Sequence, residues 1–176
     1  QARHRSPGWD TSLAAAAAAG GDPLVARWSA WLLVDHLTAD GRLTEAAGTA
    51  LTAARECADA LAYGWQTRFA AAADWALALH GAGLGLPPAG HVSAGGSGEP
   101  PTSMAALSPA HTRGNPPAGV PWDGAEGVLR RAANLTDRAL PDEARGYATA
   151  ATALIEADTG LLAAARARLD AGPAHP

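Results

Sequence analysis

Residues 37–61 read LTADGRLTEAAGTALTAARECADAL, and the fold turns on how they are parsed. Taken as one piece, the run is an alanine-rich helix former. Asp40-Gly41 breaks it, because glycine readily takes the left-handed conformation that ends a helix. Before the break, Leu24, Trp28, Trp31 and Leu32 fall at i, i+4, i+7 and i+8, one face of an α-helix. After it, a second helix is expected from about Leu43 to Tyr63, with Gly64 as its C-terminal cap. The stretch therefore reads as the corner between two antiparallel helices.

The same punctuation divides the rest of the chain. Asp10 and Thr11 are placed to cap a first short helix that Gly20-Gly21 ends, and Asp22-Pro23 is an N-cap followed by proline at the first helical position. A third main helix is expected from about Trp65 to His80, stopping at Gly81-Ala82-Gly83. Asp123, with Glu126 three residues on, makes a capping-box-like start for a helix running to about Leu140. Pro141-Asp142-Glu143 opens the next, to about Ala157, and a last helix spans Leu161 to Ala171. With no strand pattern anywhere, the expectation is an all-α fold of antiparallel helical hairpins.

Residues 81–121 are different in kind. They hold nine glycines, eight prolines and no aromatic residue, too little apolar surface to offset the entropy of ordering. We expect a flexible insertion there, inside a single helical domain covering 22–176, with 1–21 as a lead and short helix.

Composition narrows the function. Of 176 residues, 47 are alanine, and phenylalanine and isoleucine occur once each. Leucines and six tryptophans must then supply the bulk of the core. Lysine is absent, which fits a coding bias better than a functional device. A net charge of -4 with no basic run argues against a nucleic-acid partner. One cysteine rules out an internal disulfide framework. No run reaches the roughly 18 apolar residues of a membrane span, so we expect no membrane partner and a cytoplasmic location. The arginines ahead of the alanine run at the N-terminus resemble a signal peptide only weakly, since Asp10 interrupts them. The chain does not open on Met, as expected of a processed form or a piece of a longer protein.

The corner at ADGRLTEAA resembles that of a tetratricopeptide repeat, with Gly41, Leu43 and Ala46 at the family's offsets and Ala53 a further match. The spacing recurs as Gly160, Leu162 and Ala165. The resemblance implies three helix pairs: 24–63, 65–139 with its interruption, and 142–171. The first pair, at about 40 residues, exceeds the family's 34, and Glu156 stands where an apolar residue is expected. A tetratricopeptide-like solenoid and a compact helical bundle both fit this pattern.

In the family, the first helix of each pair lines a concave groove. By that analogy Trp28, Trp31 and Asp35 face the groove from the first pair, Arg68 and Trp75 from the second, and Tyr147 from the third. Tryptophan and arginine are the residue types that dominate binding hot spots. The competing reading is that the tryptophans fill core volume that alanine leaves empty. Asp35 and His36 are adjacent, about 100° apart on a helix, and cannot form a hydrogen-bonded catalytic pair. LLVDHL faintly resembles a metal-binding helix of DinB-like four-helix proteins, but the matching His-x-x-x-His is missing, and His80, His91 and His111 are scattered. Cys57 reads as a buried, inert thiol.

The leading expectation is thus a binding module rather than an enzyme, with a peptide or partner protein as ligand and no cofactor or metal. An alternative is a helical domain closing a tryptophan-lined pocket around a small apolar ligand. A weaker one is a metal-dependent, DinB-like four-helix enzyme.

Overall fold

The computed structural model describes residues 7–83, 124–136 and 140–172, and over them the protein is all-α, without a strand. The helices are α1 (Trp9–Ala18), α2 (Pro23–Ala39), α3 (Leu43–Asp59), α4 (Tyr63–Gly81), α5 (Gly124–Thr136), α6 (Asp142–Asp158) and α7 (Leu162–Ala171). From residue 84 onward, the expected insertion lies outside the described residues, as do Asp123, His91 and His111.

The corner at Gly41 forms as its sequence dictates. Gly41 sits at φ 74. Its N–H donates to the Thr38 carbonyl (3.0 Å) and the Arg42 N–H to the Leu37 carbonyl (3.0 Å), a pair of bonds that satisfies the open carbonyls of α2. The same pair recurs at Gly160, which is at φ 86, on Ala157 and Glu156. It recurs again between α3 and α4, but there the left-handed residue is Leu61, at φ 53.

Three boundaries depart from expectation. Gly64 is not the cap of α3: the helix ends at Asp59, and Gly64 lies in the first turn of α4. The Ala62 N–H closes onto the Cys57 carbonyl at 2.7 Å, and both residues pack in one apolar cluster. That contact sets the end of α3, and Leu61 accepts the conformation it requires. Asp10 does not cap α1, whose N-cap is Gly8, at φ 80. Asp10 lies inside the first turn, where its Oδ1 accepts from the Thr11 N–H at 2.9 Å and its Oδ2 from Arg42 at 2.7 Å. Leu140 lies beyond α5, outside any helix. Asp22, by contrast, caps α2 as expected, accepting from the Leu24 N–H at 2.8 Å.

Each helix from α2 to α7 packs on the next, α1 packs on α2, and α4 packs also on α2 and α6; no other pair of the described helices brings backbones together. The ends α1 and α7 do not meet. α4 is the hub, and its sequence YGWQTRFAAAADWALALHG explains why. Alanine all round lets four neighbours approach closely, and Phe69, Ala71, Ala73 and Ala76 are completely buried. One core cluster gathers Leu33, Leu37, Leu77, Val128 and Ile155. A second gathers Val34, Cys57 and Phe69 with alanines of α3 and α4.

Candidate functional site

α2, α4 and α6 share one face, and aromatic side chains meet on it. Trp31 of α2 stands edge-on to Trp65 (6.5 Å between centroids) and Phe69 (5.8 Å) of α4, and to Tyr147 of α6 (5.8 Å). Trp28, one turn earlier, stands edge-on to Trp65 at 5.1 Å and is 51% exposed. These T-shaped geometries suit the ring quadrupoles. The Arg68 guanidinium lies 5.2 Å from the Trp65 ring centroid, a cation–π contact, and 3.6 Å from Glu143 of α6.

Trp31, Asp35, Trp75 and Tyr147 also line a common space with Val34, Thr38 and Ala72. That space is packed shut, with a cavity of about 0 Å³. Burial, and then the nearby Asp35 carboxylate, push the Tyr147 hydroxyl above its ordinary pKa. Asp35 itself is exposed. All six residues singled out from the sequence therefore lie on this face, Trp28 and Arg68 meeting the others through Trp65. Trp31 and Trp75 are half-buried and serve the core as well, Trp75 leaning on the Leu77–Val128 cluster.

Sequence reading missed Trp65 and Phe69, which join the groups. Their i, i+4 spacing was the available signal. It also missed Asp74, whose carboxylate, 2% exposed within α4, receives the Arg131 Nε–H of α5 at 2.7 Å. Glu156, the apparent misfit on α6, is explained by Arg168 of α7, which donates to both its oxygens at 3.0 and 2.6 Å. The guanidinium holds the Glu156 carboxyl below the usual carboxylate range, and Arg42 does the same for Asp10.

Burial pushes the Cys57 thiol up, away from the reactive thiolate, and the nearby Arg27 opposes this only in part. His36 stacks edge-on against Trp9 at 5.3 Å, off the aromatic face. Among the described residues, no group of three or more His, Cys, Asp and Glu could hold a metal ion, and no helix is long and apolar enough to cross a membrane. Away from the tryptophans, a groove of about 430 Å³ between α5, α6 and α7 is lined by Leu129, Ala132, Ile155 and Leu161. No family model, curated protein or solved structure matches this chain.

Proposed function

We propose that the protein is a non-enzymatic helical module that binds a peptide or partner protein through the tryptophan-bearing face of α2, α4 and α6. The observation that carries this reading is Trp28. It leaves half its surface in water while standing edge-on to Trp65 at the margin of the aromatic cluster. A large apolar ring held by its neighbours loses little rotamer freedom on binding, which is what a hot spot needs.

A tetratricopeptide-like repeat is the architecture we favour for this face. Two features support it: the order of packing, in which only α2, α4 and α6 meet their second neighbours, and the identical hydrogen-bonded turn at Gly41, Leu61 and Gly160. A closed bundle would instead bring its first and last helices together. The pocket alternative is weakened by the packed space beside Trp31 and Tyr147, which leaves no room for a ligand.

The test is selection of peptides from a random library on the intact chain, followed by titration against wild type and Trp28→Ala. Truncating an anchor of this kind costs ~2 kcal/mol of binding, or about 30-fold in Kd. The folding midpoint should fall little, since Trp28 is half exposed. Selected peptides that bind the variant as tightly as wild type would refute the assignment.

A further inference from the structure

Among the described helices, α1 alone has no buried residue, and the way it is held shows what its seat accepts. It packs on α2 and on no other described helix. The Trp9 ring stands edge-on to His36 at 5.3 Å, and the Asp10 carboxylate accepts from the Arg42 guanidinium at 2.7 Å. Glu45 orients that guanidinium through two further bonds, at 3.0 and 2.6 Å. Trp9 and Leu13 pack against the cluster that holds Leu33 and Leu37. With Ala17 they follow i, i+4 and i+8, one half-buried stripe turned to α2.

Such a helix does not stand by itself. Its ten residues fall short of the roughly 12–15 that an isolated helix needs, although its alanines fold readily once a surface is offered. The tether keeps it seated. Only Ala19–Asp22 separates α1 from α2, a span that sets an effective concentration on the order of mM. The tether is also free to turn: Gly20 is at φ 64, and a Cβ at Gly20 or Gly21 would meet nothing within 4 Å. The seat, by contrast, is held in place without α1, because α3 and α4 pack on α2 from elsewhere.

We infer that α1 is a built-in occupant of a helix-docking seat, displaced by a partner's helix of the same pattern. That pattern is an aromatic residue followed directly by an acid, with leucine four positions after the aromatic. The ring stacks on His36, the carboxylate meets Arg42, and the leucine packs on the Leu33–Leu37 cluster, as α1 does now. In the free chain α1 is then an autoinhibitory plug. The seat is separate from the tryptophan face, since His36 comes five residues after Trp31, about 140° round the helix. It therefore does not rest on the assignment of Trp28.

The probe is a fluorescent peptide of residues 7–21, PGWDTSLAAAAAAGG, titrated into the full chain by anisotropy. Wild type, whose own α1 fills the seat, should bind it at least ~10-fold more weakly than the Trp9→Ala/Leu13→Ala chain. On that double variant, Arg42→Gln should weaken the peptide by ~10-fold. A peptide carrying Trp9→Ala should lose at least as much. Equal binding by wild type and the double variant, or binding indifferent to Arg42→Gln, would overturn the inference. Because the double variant uncovers Leu33 and Leu37, hydrogen exchange on wild type gives an independent reading. Amides of α1 should exchange at least ~100-fold faster than those of α4. A single common rate would mean that α1 opens only with the whole fold, and would overturn the inference too. So would a wild-type dimer in sedimentation that Trp9→Ala dissolves, since the seat would then belong to α1 of a second copy.

Discussion

Leu61 shows at a single residue how tertiary packing overrides local preference. A branched side chain at φ 53 is strained, yet the Ala62–Cys57 closure fixes the turn while the Leu61 side chain is 70% exposed. Leu61→Gly should therefore stabilise the protein, by about 0.5–1 kcal/mol after the entropy that glycine adds to the unfolded chain. Gly160→Ala should do the reverse and cost ~1 kcal/mol, from backbone strain alone, because a Cβ there meets nothing within 4 Å. Urea midpoints of both variants check this. The difference also explains what could be read in advance. The corners at Gly41 and Gly160 were legible because glycine advertises the left-handed residue, whereas a leucine in that role sends no local signal. Trp28 and Trp31 share a stripe but not a fate: Trp28 stands half in water, while Trp31 touches three other rings.

Between elements, a few polar contacts fix how alanine-faced helices sit, since alanine alone specifies register poorly. The Asp74–Arg131 pair ties α4 to α5 with its carboxylate buried. Arg131→Met should cost ~3 kcal/mol, because it removes a cation from a carboxylate that water cannot reach, and Asp74→Leu should cost less. Neither was legible, since the partners are 57 positions apart and only the lone acid in an alanine helix hinted at them. Glu156–Arg168 ties α6 to α7, and Asp10–Arg42 ties α1 to the corner after α2. Both carboxyls have folded pKa values below their unfolded ones. Their stabilising effect is thus present above the unfolded carboxylate pKa of about 4 and lost as pH falls through the lower folded value. The stability gap between wild type and Glu156→Gln should persist at pH 7 and shrink below about pH 4, measured by denaturant titration across that range.

At the scale of the whole molecule, the sequence carried the helical class, because that follows from periodicity and punctuation. It pointed to six residues near the aromatic face while missing Trp65 and Phe69, the rings that join them. It did not carry the closure of that face. Whether Trp31 and Tyr147 leave a groove or fill it depends on ring packing between helices far apart in the chain, and here they fill it. The binding surface we propose is accordingly the rim around Trp28. Its most direct test is chemical-shift mapping of a library-selected peptide on the isotope-labelled protein. The account predicts the largest shifts on α2, led by the Trp28 indole N–H, with smaller ones at Trp65 and Arg68 and none on α7. Shifts centred on the groove between α5, α6 and α7, with the Trp28 indole unmoved, would contradict it.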